Sequence, residues 1–517
     1  MSSRPIRLVL GFLTVGFWTL ASRILGFVRE VMIVSFLGSG PVAEAFFVAF
    51  RLPNMFRRFF AEGALNTAFV PLFAKTLEAD GEDAARRFGQ EAFSSLFVVL
   101  ITLTLLAQLV MPWLVYALAS GFADTGRFEL TITFARILFP YILFISLAAL
   151  LSGILNSFGR FAAAAAAPIL LNIILVAAML LAWLLEYPIG FALVWGAALA
   201  GLAQFGLVWW AARQLGMGLL PGRPRLTPKV KRLIIIGGPA LLAGGVLQIN
   251  LLVGTQVASY FEGAVVWLAV ADRIYQLPLG LVGVAIGVVL LPELSRRHRA
   301  GDSPGTRDSM NRAAEFSSAL ILPATVGLLV VPVLVTSVLF ERGAFTPVDT
   351  LNTAQALMIY AIGLPAFVLQ KVLQPAYFAR EDTKTPLNFA LVSMLVNLVV
   401  AIGLAPLVGF IAAAIATTLA AWVNLVLLMR GLRELDDDLT LDSGLRHRLP
   451  RIFIASIAMG ALVLGICEML QNFVSTHPVI SLVGIVVFAV TAYGCIVVWL
   501  GGLRVQDLRS AIRRTRR

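Results

Sequence analysis

Charged side chains inside long apolar stretches are the residues of this chain that need a chemical reason. Arg23, Arg29 and Glu30 interrupt the stretch 8–36, Glu44, Arg51, Arg57, Arg58 and Glu62 interrupt 42–74, and Asp272 and Arg273 interrupt 265–295. A charge at the centre of a bilayer costs about 2.5–3.5 kcal/mol on insertion scales, so each requires a partner or a task. At about 100° per helical residue, Arg23 and Glu30 share a face while Arg29 points about 120° from Arg23, so two cations subtend one broad polar sector. Glu44, Arg51, Arg58 and Glu62 follow one another at spacings of 7, 7 and 4, a stripe of alternating sign that can pair within its own helix. Arg57 lies off that stripe. Guanidinium groups in excess of the nearby carboxylates suit an anion, and their planar fork matches phosphate oxygens. Arg29, Arg57 and Arg273, with Arg23 beside them, are therefore the expected lining of a cavity for an anionic cargo. Arg51, Arg58, Glu62 and Arg136 are expected to serve as buried ion pairs or to reach the nearest interface.

Catalytic constellations are missing from the sequence. His298, His447 and His477 fall in loops or at helix ends, with no metalloprotease helix, phosphate-binding loop or serine elbow around them. Cys467 and Cys495 sit in apolar runs, where they are expected to act as small buried hydrophobes, with no metal site. The nearest rival is Asp436-Asp437-Asp438, since aspartates can hold magnesium on a diphosphate. A solvated acidic loop balancing Arg433 and Arg446 is the preferred reading of that run.

The elements that must position these charges follow from composition. The chain has 517 residues, 59% of them hydrophobic and only 13% charged, which excludes a soluble protein. Apolar segments long enough to span a bilayer lie near 8–36, 42–74, 91–118, 130–157, 163–185, 189–212, 231–260, 265–295, 310–339, 351–378, 385–405, 408–430, 449–471 and 478–502, about fourteen in all. The first of them is expected to be a membrane helix rather than a cleaved signal. With both termini cytoplasmic, thirty of the 40 Lys and Arg residues fall on the cytoplasmic side and only Arg127 and Arg342 on the other. That asymmetry fixes the expected orientation. It also explains the net charge of +12 without nucleic acid: Arg223 to Arg232 and Arg504 to Arg517 are read as topology determinants that meet anionic membrane lipids.

Landmarks recur at an offset near 225. Leu52-Pro53 returns as Leu277-Pro278, Pro140 as Pro365 and Asn172 as Asn397, while Pro71 and Gly190-Phe191 are answered by Pro292 and Gly409-Phe410 at shorter offsets. Six spans per repeat is an even number, so the copies share an orientation and a pseudo-two-fold axis along the membrane normal. The expected architecture is an all-α polytopic membrane protein with a six-helix lobe at 1–215, a second at 216–435, and an appendage of two helices with a basic tail at 436–517. Prolines within spans, Pro53, Pro71, Pro239, Pro278, Pro292, Pro323, Pro332 and Pro365, suit either ordinary membrane helices or hinged helices lining a cavity.

Several strings then become recognisable: Ser22-Arg23-Ile24-Leu25-Gly26-Phe27-Val28-Arg29-Glu30, Ala45-Phe46-Phe47-Val48-Ala49-Phe50-Arg51-Leu52-Pro53-Asn54, and Arg57-Arg58-Phe59-Phe60-Ala61-Glu62-Gly63-Ala64. With Gly121-Phe122-Ala123-Asp124, Phe139-Pro140-Tyr141-Ile142 and Ala271-Asp272-Arg273, the chain closely resembles the bacterial lipid II flippase family, MurJ or MviN, along essentially its whole length. The resemblance implies the multidrug/oligosaccharidyl-lipid/polysaccharide exporter fold. It implies as cargo the undecaprenyl-diphosphate-linked disaccharide pentapeptide, moved from the inner to the outer leaflet of the cytoplasmic membrane for peptidoglycan synthesis. It implies that Arg23, Arg29, Arg57 and Arg273 line the cavity and engage the anionic headgroup, supported by Ser22, Glu30, Glu44, Asn54, Glu62 and Asp272, and that the groove of the last two helices takes the polyprenyl tail. The family often has aspartate where this chain has Glu30 and Glu44, and an acidic residue where it has Gln276, which leaves the partner of Arg273 open.

The expected activity is alternating access without covalent chemistry or a cofactor. The membrane potential is the expected driving force, and these residues do not specify a coupling ion, Na+ or H+. Lipid II and membrane lipids are the expected partners, with cell-wall synthesis proteins as candidates. Export of another lipid-linked saccharide or of drugs, an inert membrane scaffold, and an enzyme acting on a polyprenyl diphosphate are the alternative readings.

Overall fold

The computed structural model describes residues 4–58, 68–300, 302–435 and 442–502, with side chains except at 4–13, 239–251, 281, 283–289, 291, 298 and 303. Among the described residues every regular element is helical. In chain order these are α1 (Arg4–Leu37), α2 (Pro41–Arg57), α3 (Val70–Leu109), α4 (Met111–Leu118), α5 (Gly126–Leu138), α6 (Tyr141–Ser157), α7 (Ala162–Leu184), α8 (Ile189–Arg213) and α9 (Pro228–Ala258). They continue as α10 (Ala264–Arg299), α11 (Ser303–Val330), α12 (Pro332–Phe340), α13 (Pro347–Phe378), α14 (Lys384–Val408), α15 (Ile411–Leu435), α16 (Ser443–Met469), α17 (Gln471–Thr476) and α18 (Pro478–Trp499). Within the bilayer only such internally hydrogen-bonded segments satisfy their own backbone.

Where helices begin outside the hydrocarbon, local chemistry sets the start. Thr227 caps α9 by accepting from the Val230 amide, Asp302 caps α11 and Asp442 caps α16. Thr346 and Asp349 bond each other's backbone amides in a reciprocal capping box at the head of α13.

Ten described helices or helix pairs are long and apolar enough to cross a membrane: 70–109, 126–157, 162–184, 189–213, 304–330, 347–378, 384–408, 411–433, 443–469 and 478–499. Of the other four expected spans, α1, α9 and α10 lie along 8–36, 231–260 and 265–295, whereas α2 covers only the first part of 42–74, of which residues 59–67 lie outside the described residues. Large apolar residues stay exposed on these helices, Leu109, Trp113, Leu184, Leu407, Met469 and Trp499 among them, as suits a surface solvated by lipid. The same reasoning corrects the expectation for the two cysteines. Cys467 is only half-buried and Cys495 is exposed, because an apolar residue in a membrane helix need not face the protein interior.

By packing, the chain forms two compact units, Met1–Val266 with Gly343–Phe345, and Trp267–Arg342 with Thr346–Arg517. In the first, α8 packs against α6 and α7, α3 against α6, and α4 against α5. In the second, α15 packs against α13 and α14, α11 against α13, and α12 against α13. These are the pairings that the sequence repeat makes equivalent. The third span of each half is also broken, at Val110 (φ −96°, ψ 13°) and at Val331 (φ −125°, ψ 44°), with a proline opening each following helix. Pro332 thus starts a helix rather than bending one, and so does Pro71 at the head of α3, whereas Pro53, Pro278, Pro292, Pro323 and Pro365 lie inside helices.

The first unit takes in α9, beyond residue 215, because α9 is tied to it at both ends. Lys229 pairs with Asp80 at 2.8 Å, and Thr227 donates to Glu91 at 2.8 Å. At the far end the Gly121 amide donates to Ser259 Oγ at 3.0 Å, the Ser120 amide to Gln256 Oε1 at 3.1 Å, and Ser120 Oγ meets Tyr260 Oη at 2.7 Å. The short 343–345 segment joins the same unit through the Ala344 amide, which donates to Ser35 O at 2.7 Å.

In the second unit α16 packs on α11 and α18 on α16 and α12. Arg312 of α11 bridges Glu315 and Asp442, Arg448 of α16 reaches Glu315, and Tyr493 donates to Ala319 O at 2.6 Å. The two-helix appendage is thereby fixed to α11. Asp436–Asp438 and the basic tail from Arg504 lie outside the described residues, as does Glu62.

Candidate functional site

The site is built around α1, where a long helix carries polar side chains into apolar surroundings. Arg29 is held at two corners of its guanidinium: one terminal nitrogen donates to Asn172 Oδ1 at 2.9 Å and the other to Glu30 Oε2 at 2.9 Å. Asn172 comes from α7, which packs along α1, and its amide nitrogen donates to the Ser22 carbonyl at 3.0 Å. Asn172 lies over Gly26, its amide 3.6 Å from where a Gly26 side chain would start, an ordinary contact distance. Ser22, Arg29 and Glu30, expected from sequence to work together, are thus joined through a fourth residue.

Arg57 enters from the end of α2. That helix is fixed by aromatic contacts: Phe50 against Tyr141 at 6.2 Å and Phe56 edge-on to Phe139 at 5.5 Å between ring centres. Tyr141, buried on α6, lies within electrostatic reach of both Arg57 and Arg29. The two arginines therefore converge on one region of the first unit. Arg23 is exposed, and among the described residues its side chain makes no hydrogen bond or ion pair.

The remaining residues of α2 have structural partners. Asn54 donates to Phe50 O at 3.0 Å, back along its own helix. Arg51 donates to Thr255 of α9, and Arg58 is exposed. Glu44 does not pair along its helical stripe. It is buried and takes Arg127 of α5 at 2.8 Å, with Arg127 lying over the Phe122 ring at 4.6 Å. Arg127, read from sequence as a loop residue, sits in the first turn of α5 and is equally buried.

In the second unit, Asp272 and Arg273 lie half-buried on α10. Gln276 donates to Asp272, so its amide serves the neighbouring carboxylate. Tyr275 packs between Tyr360 at 5.1 Å and Phe367 at 5.9 Å and fixes the rotation of α10 about its axis.

Arg29, held by one neutral and one charged partner, keeps further N–H donors of the kind that suit an anion. Against known proteins, the profile of a family described as "Lipid II flippase MurJ" matches residues 33–485. The chain belongs to the MurJ family. A "Probable lipid II flippase MurJ" of Rhizobium meliloti (strain 1021) is 46% identical over 98% of this chain and 96% of its own length. A "Lipid II flippase MurJ" of Burkholderia cenocepacia is 36% identical over 82% and 83%. A solved structure of "Lipid II flippase MurJ, inward closed conformation" superposes with a TM-score of 0.79 over 94% of this chain and 98% of that one, and at 23% identity speaks for the fold. So does an inward-facing MATE family multidrug transporter of the MOP superfamily, at a TM-score of 0.67, 16% identity and coverages of 81% and 96%. As a member of the MurJ family, the chain is a multi-pass membrane transporter, not an enzyme.

Two residues of this MurJ family member were not singled out from sequence as site residues. Asn172 carried a signal, as half of the Asn172/Asn397 repeat pair, but nothing in the sequence tied it to Arg29 on α1. Arg127 carried none, because nothing in the local sequence distinguishes a solvated loop arginine from one buried by a tertiary contact.

Proposed function

We propose that this protein translocates lipid II from the inner to the outer leaflet of the bacterial cytoplasmic membrane, with both of its termini in the cytoplasm. The observation that carries the reading is the full-length kinship with lipid II flippases joined to an arginine pair on α1 and α2 in apolar surroundings. Arg29 and Arg57, with Arg23 and Arg273, engage the diphosphate of the cargo. Glu30 and, through Asn172, Ser22 set the conformation of Arg29, Asp272 stands beside Arg273, Asn54 bonds back along α2, and Glu44 anchors α2 through Arg127. Glu62 belongs to the same group by its place in the sequence.

Transport needs no covalent step and no cofactor. Alternating access exposes the site to one side of the membrane and then the other, and outward opening weakens the arginine contacts so that cargo leaves. A negative-inside potential favours outward movement of an anion by about 2.3 kcal/mol per charge per 100 mV. Reconstitution tests the reading: purified protein in liposomes should move fluorescent lipid II between leaflets, faster when a potassium diffusion potential drives anions along the transport direction. Liposomes in which lipid II stays put although the protein is folded and inserted in the bilayer would overturn it.

A further inference from the structure

We infer that Asn172 is a positioning residue for headgroup recognition, one that aims the Arg29 guanidinium without cancelling its charge. The inference rests on the reading of Arg29 as a diphosphate contact.

The geometry leaves the Asn172 amide one orientation. Its nitrogen donates to the Ser22 carbonyl at 3.0 Å, and a carbonyl can only accept. Its oxygen must then face Arg29, which can only donate, at 2.9 Å. The Asn172 side chain itself is buried on α7. A backbone group of α1 thus orients an amide of α7, and that amide orients a cation seven residues further along α1.

The chemistry of an amide matters at this position. Glu30 already places one carboxylate on Arg29. A second acid would hold the guanidinium as firmly but turn the neutral Arg29–Glu30 pair into a net negative cluster. A neutral acceptor fixes a second corner of the fork while leaving three of its five N–H donors unclaimed among the described residues. Orientation fixed in advance removes the conformational cost of ordering a long side chain at the moment of binding.

A purely structural role, in which Asn172 only ties α7 to α1, makes a different prediction. The test is a double-mutant cycle on binding of lipid II to detergent-purified protein, with Arg29→Ala, Asn172→Ala and the double variant, each checked for thermal unfolding. Asn172→Ala should weaken binding on the order of tenfold and add nothing in the Arg29→Ala background. Equal losses from Asn172→Ala in both backgrounds would overturn the inference while leaving Arg29 as a contact. If Arg29→Ala binds as the unmodified protein does, the reading of Arg29 falls, and the inference with it. Asn172→Asp, of the same size, guards against a packing failure: it should bind more weakly than Asn172→Ala and show a flatter salt dependence, whereas tighter binding than Asn172→Ala would contradict the charge argument.

Discussion

Glu44 and Arg127 meet at 2.8 Å inside the first unit, with side-chain exposures of only 1% and 8%. An ion pair this deep contributes little relative to a well-packed apolar pair, but removing one member strands the other, at a cost of about 3–5 kcal/mol. Arg127→Ala and Glu44→Ala should therefore each lower the unfolding temperature strongly, and the double variant should fall well short of their sum. Thermal unfolding of the three variants in one detergent measures the coupling.

Gly121 packs where no side chain fits. A β-carbon there would lie 2.5 Å from the Ser259 backbone, in the contact that joins the α4–α5 turn to the end of α9. Gly121→Val should force the two apart, raise hydrogen–deuterium exchange at Gly121 and Ser259 together, and impair growth when it is the sole copy. Gly126→Val, five residues on with open space around its α-carbon, should leave exchange in the turn unchanged.

Glu315 is buried and receives both Arg312 and Arg448, so it joins α11 to α16. Replacing it takes a carboxylate from both cations, of which Arg312 keeps Asp308 and Asp442. Glu315→Ala should cost about 2 kcal/mol or more and expose α16 to proteolysis, allowing for partial solvation of Arg312. Arg296→Ala, which removes an exposed pair with Glu293, should change stability by less than about 1 kcal/mol. Unfolding curves and limited proteolysis of the two variants separate these outcomes.

Where a property depends on one helix, the sequence revealed it. Arg23, Arg29 and Glu30 were recognisable as a broad polar sector because their spacing on α1 needs no tertiary knowledge, and the packing of α6 with α8 and of α13 with α15 follows the repeat. Partners supplied by other helices were not legible. The stripe from Glu44 to Glu62 suggested pairing along α2, yet Glu44 takes its cation from α5, since a buried charge bonds whichever group the fold brings nearest. Gln276 looked like a lost partner for Arg273 and instead donates to Asp272. The breaks at Val110 and Val331 fall within continuous apolar runs, where hydropathy carries no mark of them. Cys495 failed for the same reason in reverse: in lipid, apolar and buried are separate properties.

The most direct test of the central claim is the leaflet position of lipid II in cells depleted of this protein and supplied with either the unmodified chain or Arg29→Ala at equal abundance. The account predicts that depletion strands lipid II in the inner leaflet, that the unmodified chain restores both translocation and growth, and that Arg29→Ala restores neither. Lipid II reaching the outer leaflet at the normal rate without the protein, in cells with no second flippase, would contradict it.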